Sequence, residues 1–278
     1  MADLRRLGIE AGDTVLVRAG LRELGPLEDR AKVFIEALLE AVGPEGTILG
    51  LPFTLAFLRV TRHRDYVFDP AVTPTYAGGF ASALLEWPGA IRSSHPCNSF
   101  VAIGRLAQVM LAGHDESAPG FWPMKALLEH NGKMLSAGCI SSGPGFVTIH
   151  WARQELGHTL QNIMRGWWKV FYRKNGEIKL FTVNEINSCS HGFRKFYGHY
   201  VEAGKLRAGF VGHAYSALIS ARDAYAVERP ILERNPRAYL CDRPFCYSCR
   251  TTWYFNKRDW PGFWLRFLPR VMRGLRKL

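Results

Sequence analysis

The chain has 278 residues, is 47% apolar and carries a formal net charge of +12, which is enough for one large domain or two small ones around a sizeable core. No run of 18 uncharged apolar residues occurs and no apolar h-region follows Met1, so neither a spanning helix nor a signal peptide is expected. Six cysteines in a chain this long do not make a secreted disulfide framework and point to a reducing cytoplasm. The charge is uneven: residues 250–278 hold eight Lys and Arg against one acid, Asp259, or +7, leaving +5 for the rest. An acidic ligand such as a coenzyme or nucleotide accounts for that mild excess, and no nucleic-acid-binding motif is present.

Asp13 to Val17 reads as a first strand and Arg18 to Gly25 as the loop leaving it. Gly20 there permits close backbone approach to a ligand, or simply makes a strand-to-helix turn. Ala31 to Val42 is an amphipathic helix with Phe34, Ala37, Leu38 and Ala41 on one face. Gly46 to Pro52 is a second strand, and strand–helix–strand order argues for a parallel sheet. Leu55 to Val67 is irregular and basic, with Arg59, Arg62, His63 and Arg64; it is either a solvated loop or an entrance that attracts an anionic substrate. Tyr76 to Trp87 reads as helix, stopped by Pro88-Gly89. The next loop is dense in donors: Arg92, Ser93, Ser94, His95, Asn98 and Ser99. It leads into a buried strand from Ser99 to Ile103, then a short helix to Ala112.

Met124 to Glu129 is helical, Asn131-Gly132 a turn, and Lys133 to Ile140 a buried strand. After the Ser141–Gly145 connector a helix runs from Thr148 to Leu156. His150 falls in its first turn, where the positive end of the helix dipole favours the neutral imidazole that a general base requires; a capping or core histidine is the alternative. Trp167 to Val183 reads as a hairpin turned at Asn175-Gly176, with Lys169, Arg173, Lys174 and Lys179 along it, able to roof an acceptor pocket. Tyr197 to Gly212 is mixed and Tyr215 to Val227 helical. Cys241, Cys246 and Cys249 can supply three ligands to zinc, or are three reduced thiols packing a turn. In the tail, Trp264, Leu268, Val271, Leu275 and Leu278 recur at helical spacing, with Arg266, Arg270, Arg273 and Lys277 on another face. That is the pattern of an interfacial helix on an anionic membrane surface, kinked or restarted at Pro269. The alternative docks its apolar face on the body or on a second subunit in a homodimer.

The run Arg92-Ser93-x-His95-Pro96-x-x-Ser99-Phe100-x-Ala102-x-Gly104 resembles the signature of the aminoglycoside 3-N-acetyltransferase family, coenzyme-A-dependent acyltransferases of α/β fold. Phe68-Asp69-Pro70-x-x-Thr73-Pro74-Thr75-x-x-Gly78 upstream is similar to the family's Asp-x-x-x-Thr-Pro-Ser segment. Gly132-Lys133-x-Leu135-x-x-Gly138 and Thr148-x-His150-x-Ala152 resemble the region of its essential histidine. The resemblance implies His150 as catalytic base, Gly20, Ser94, His95, Ser99 and Phe100 near the coenzyme, and Asp69, Thr73 and Arg92 near the acceptor. Two departures stand out. Ala19 and Gly20 occupy positions where the family carries hydroxyl residues. Arg153 stands where it places a Glu one helical turn after the histidine, so either another carboxylate, Asp69 or Glu86 by their place in the motifs, orients His150, or the protein works without such a partner.

The expected architecture is a three-layer α/β sandwich around a mostly parallel sheet, with an inserted β-hairpin. Residues 1–249 form the acyltransferase domain and 250–278 a basic aromatic tail. The expected activity is N-acyl transfer from acetyl-CoA to an amino sugar. Basic walls at Arg59–Arg64 and the hairpin favour an anionic nucleotide- or lipid-linked sugar of surface-polysaccharide synthesis, at the inner face of the membrane. An aminoglycoside acceptor is the alternative within the class, and a catalytically inactive membrane-attached scaffold the alternative outside it.

Overall fold

Val15, Leu16 and Val17 are apolar on both faces of a strand, and the chain places them where both faces are covered. The structure, a computed structural model, describes residues 1–61, 63–141, 145–187 and 189–275. After α1 (Ala2–Leu7), strand β1 (Thr14–Ala19) takes the centre of a seven-stranded sheet. Helix α2 (Arg30–Val42) starts at Asp29, whose carboxylate accepts the Lys32 N–H at 3.2 Å, and buries Phe34, Ile35, Leu38, Ala41 and Val42. Strand β2 (Thr47–Gly50) returns parallel to β1. The basic stretch that follows holds two short strands, β3 (Phe57–Leu58) and β4 (Val67–Phe68). Then come α3 (Gly79–Leu85), β5 (Ile91–Arg92), β6 (Val101–Gly104), α4 (Ala107–Leu111) and α5 (Pro123–Glu129).

Strand β7 (Lys133–Ala137) is β1's other parallel neighbour and leads to α6 (Thr148–Glu155). The hairpin β8 (Trp168–Lys174) and β9 (Glu177–Val183) turns at Asn175 and Gly176, both at positive φ, as a two-residue I′ turn requires. It joins β3 and β4 in a second, four-stranded sheet. The chain closes with α7 (Phe196–Glu202), β10 (Arg207–Val211), β11 (Ala214–Ser220), α8 (Ala221–Arg234), α9 (Tyr247–Thr251) and α10 (Trp260–Leu275).

The main sheet runs β10-β11-β7-β1-β2-β6-β5. Its centre, β7-β1-β2, is parallel, and antiparallel strands extend it on both sides. Alternate residues build two cores. Val15, Val17, Ile48 and Leu135 face the layer of α1, α2 and α3, whereas Leu16, Leu49, Met134 and Ile219 face α5, α6 and α8. This is the three-layer α/β sandwich expected from the sequence.

Three expectations change. The helix expected from Tyr215 to Val227 begins only at Ala221. Residues 214–220 are strand β11 because they pair antiparallel with β7, and Ser220 then caps α8 by accepting the Asp223 N–H at 3.0 Å. The division expected after residue 249 falls inside the core, since Thr251, Thr252, Trp253 and Asn256 are buried. The tail's lone acid, Asp259, ion-pairs Arg237 at 3.0 Å and Arg250 at 3.1 Å. Helix α10 runs through Pro269 rather than restarting there. It is anchored by buried Phe263 and by the Arg270 guanidinium 3.5 Å from the Phe245 ring centre. No helix among the described residues is long and apolar enough to cross a membrane.

One buried acid braces the layer that carries α6. Glu228 of α8 accepts hydrogen bonds on one oxygen from Thr148, the first residue of α6, at 2.7 Å, and from the Tyr200 hydroxyl. Burial pushes this carboxyl up to about 8, against the two donors. The unfolded chain releases the proton near 4.5 while the folded chain keeps it to about 8, so stability falls as pH rises across that window. Glu228→Gln has no proton to lose. Thermal melts of both proteins from pH 4 to 9 should show the wild type losing ground to the variant between pH 5 and 8; a pH-independent gap would contradict a neutral Glu228.

Candidate active site

The parallel strands β7, β1 and β2 end on one edge of the sheet, where ligands of open α/β sheets bind. The chain leaving each of them contributes to one cavity of about 280 Å³. Arg18 stands at the end of β1, Leu51 and Phe53 follow β2, and Gly145, Phe146 and Val147 follow β7. His150 borders it from the first turn of α6.

The imidazole of His150 is held on three sides. Phe121 stacks on it at 4.3 Å and an interplanar angle of 6°, and Phe193 meets it edge-on at 4.7 Å. Its Nδ1 lies 3.3 Å from Asn187 Oδ1. With that oxygen accepting, Nδ1 carries the proton and Nε2 keeps the lone pair. Burial, then the charge of Arg153, then that of Arg18 hold His150 well below the usual histidine range, against the Asn187 hydrogen bond. The ring is therefore neutral at pH 7, as a general base must be.

Arg153, one turn along α6, is fully buried. Its guanidinium packs on the faces of Tyr239 at 3.7 Å and Trp253 at 4.8 Å. None of its three nitrogens has a hydrogen-bond partner among the described residues; the Tyr239 hydroxyl favours the charge by proximity, without hydrogen-bond geometry. Arg153 thus puts positive charge where the related motif has a Glu, and an amide, Asn187, orients the histidine in its place.

A second cavity, of about 200 Å³, lies under the β8–β9 hairpin. Glu116 and Glu185 line it, with His95, Asn98 and Gly120. Glu185 accepts the Gly120 N–H at 3.2 Å, and burial raises its carboxyl above the usual range. The two cavities are neighbours along the chain: Gly120 precedes Phe121, which stacks on His150, and Glu185 lies two residues before Asn187. Arg18, Asn187 and Glu185 had not been singled out from the sequence. Only Arg18 carried a local signal, as a cation at the C-terminal end of the central strand.

Of the motif residues, His95 lines the cavity under the hairpin, and Thr73 and Arg92 border a separate one. Ser99 and Phe100 are fully buried. Ser99 donates to the Pro52 carbonyl at 3.0 Å, and Phe100 packs edge-on against Phe121 at 6.2 Å. Arg92 donates to Ser99 at 3.0 Å, to Pro52 O at 3.0 Å and to Thr73 O. Thr73 accepts the Asp69 N–H at 2.8 Å, while the Asp69 carboxylate accepts from Ala71 at 3.0 Å and pairs with Arg173 at 3.5 Å. Glu86 caps the end of α3. Neither carboxylate is the partner of His150: Asp69 is held in its own loop, and Glu86 lines a separate cavity with Thr73 and Arg92. Ser94 is exposed on a separate surface cleft. His95 is buried, stacks on His114 at 4.9 Å, and is pushed down to about 4 by burial. At Gly20 the close approach is made by the chain itself: an added Cβ would lie 2.7 Å from Gly138 O. The basic loop borders neither cavity; Arg59 bonds Gly166 O at 3.5 Å, and Arg62 lies outside the described residues. Cys241, Cys246 and Cys249 do converge, and Cys189, which their spacing could not announce, joins them.

An α/β sheet with a neutral, oriented histidine at the carboxyl edge of its parallel strands is the framework of a general-base acyltransferase. A family profile described as "Aminoglycoside 3-N-acetyltransferase" matches residues 16–233, and the chain belongs to that family of acyl-CoA-dependent enzymes, with acetyl-CoA as co-substrate. An aminoglycoside N(3)-acetyltransferase III from Serratia marcescens is 32% identical, over 84% of this chain and 96% of its own. The solved structure "AAC-IIIb binary with CoASH" superimposes with a TM-score of 0.69 at 26% identity, covering 84% of this chain and 94% of that one. "AAC-VIa bound to Sisomicin" gives 0.70 at 29%, covering 84% and 95%.

The geometry makes the pH profile of kcat/KM a test of the histidine's setting. A general base is lost as pH falls through its own value, so a depressed His150 keeps its limb below the ordinary histidine range. Asn187→Asp adds a negative charge beside the ring and should move that limb to higher pH. Asn187→Leu, which removes the oxygen that selects the tautomer, should lower kcat without moving the limb upward. An unchanged profile in both variants would exclude Asn187 as the orienting group.

Proposed function

We propose that the chain transfers the acetyl group of acetyl-CoA to an amine of an aminoglycoside, with His150 as the general base. The observation that carries this reading is the two-sided electrostatics of the site. The His150 cavity is apolar with one cation, Arg18, and suits the pantetheine arm and thioester of an anionic coenzyme. The cavity under the hairpin is lined by Glu185 and by Glu116, which pairs with Lys174, and carboxylates are what a polycationic acceptor requires. In the reaction the acceptor nitrogen attacks the thioester carbon and His150 Nε2 takes the proton. The tetrahedral intermediate then collapses, expelling the coenzyme thiolate, which regains a proton from the imidazolium. The nucleotide-linked amino sugar expected from the basic loop loses its support, because Arg59 and its neighbours line neither cavity.

His150→Ala should reduce acetyl transfer by about 10²–10⁴-fold while leaving coenzyme binding in place. Glu116→Gln combined with Glu185→Gln should raise KM for an aminoglycoside, most at low salt, and leave KM for acetyl-CoA near its original value. Mass spectrometry of products from acetyl-CoA with aminoglycosides and nucleotide-linked amino sugars side by side decides the acceptor; acetylation of the nucleotide sugars alone would overturn the proposal.

For the tail, the exposed apolar face of α10, with Leu265 at 76%, Leu268 at 53% and Met272 at 54% exposure beside Arg266 and Arg273, supports attachment to an anionic membrane surface. Leu265→Glu with Leu268→Glu changes exposed positions only. It should abolish co-sedimentation with phosphatidylserine vesicles and leave the melting temperature unchanged. A wild-type protein that ignores such vesicles would remove the proposal.

A further inference from the structure

Four of the six cysteines gather outside the site just described. Cys189 comes from the segment after the hairpin, and Cys241, Cys246 and Cys249 from the C-terminal stretch around α9. Their sulfurs all lie within 4.8 Å of one another, with Cys189 and Cys246 at 3.5 Å, and none is in a disulfide. Zinc bound to four thiolates at about 2.3 Å sets its sulfurs about 3.8 Å apart at the corners of a tetrahedron, so only small shifts separate this cluster from that geometry. Cys246 caps α9 and Cys249 lies in its first turn, so one Cys-x-x-Cys pair is already turned inward. The Cys241 N–H points at the Cys249 sulfur at 3.5 Å, the kind of outer hydrogen bond that steadies a thiolate ligand.

A second observation points the same way. Arg153 is fully buried with none of its nitrogens hydrogen-bonded, and no carboxylate pairs with it among the described residues. The aromatic walls that hold it, Tyr239 and Trp253, flank the cysteine-bearing stretch on both sides. A buried cation of this kind calls for negative charge nearby. Four thiolates around a divalent zinc carry two net negative charges.

We propose that Cys189, Cys241, Cys246 and Cys249 bind one zinc ion tetrahedrally, with Arg153 as the buried countercharge. Binding replaces four thiol protons, which leave to solvent, by four Zn–S bonds. The ion would clip the C-terminal stretch to the segment that carries two of the three residues holding His150. Asn187 lies two residues before Cys189, and Phe193 four residues after it. The site is structural, because all four positions are filled by protein.

The test uses the full, untagged chain, grown with zinc and purified without chelator, and metal analysis needs no knowledge of the acceptor. About one zinc per chain is expected. Cys189→Ser and Cys246→Ser should lose it, while Cys139→Ser, a cysteine outside the cluster, should keep it. If the serine variants do not fold, the wild type stripped with chelator and given cobalt alone should develop thiolate-to-cobalt charge-transfer absorption, and adding zinc should raise its melting temperature. Failure of the stripped protein to take up zinc or cobalt would overturn the proposal, as would full zinc retention in Cys246→Ser, iron in place of zinc, or disulfides among the four cysteines by intact mass.

Discussion

A guanidinium buried with no carboxylate partner among the described residues, one helical turn after His150, is the constraint that shapes this molecule. An unpaired buried charge costs several kcal/mol unless its surroundings offset it. Arg153 meets aromatic faces, each contributing about 0.5–2 kcal/mol. That enclosure requires Tyr239 and Trp253, so residues past the family match at 233 become part of the core rather than an appendage. The same charge depresses His150 toward its neutral form. The position where the resemblance implies a Glu thus gives this chain an electrostatic reason to keep the ring uncharged, while the amide of Asn187 meets its Nδ1.

The signature run braces the chain that borders the His150 cavity. Arg92 gathers the carbonyls of Pro52 and Thr73 and the hydroxyl of Ser99. It thereby fixes the chain just after β2, which supplies Leu51 and Phe53 to the His150 cavity. Phe100 backs Phe121, and Phe121 stacks on the imidazole. A motif of donors in a loop looks like a ligand cradle, yet here the donors are consumed by backbone acceptors that would otherwise be buried and unsatisfied. Arg18 borders the His150 cavity, and Glu116 and Glu185 line the one under the hairpin. The global charge of +12 conceals this division, because much of the excess lies on α10 and the surface.

What the sequence determined by itself was local. The strands near Asp13 and Lys133, the helix at Ala31–Val42, the Asn175-Gly176 hairpin and the place of His150 in a first helical turn all follow from periodicity, caps and turn residues within a dozen positions. Tyr215 to Ser220 was misread as helix because its apolar residues suit either period, and only pairing with β7 chooses the strand. The tertiary structure alone decided the partners. Asn187 reaches His150 across 37 residues, Glu185 comes beside Gly120 across 65, and Cys189 completes a set of cysteines more than fifty positions away. Contacts of that span leave no trace in spacing, since the sheet order and the fold of the hairpin, not the distance along the chain, bring such groups within hydrogen-bond or metal-ligand reach. Whether a polar side chain faces a substrate or a neighbouring carbonyl depends on burial, and burial is a property of the packed layers.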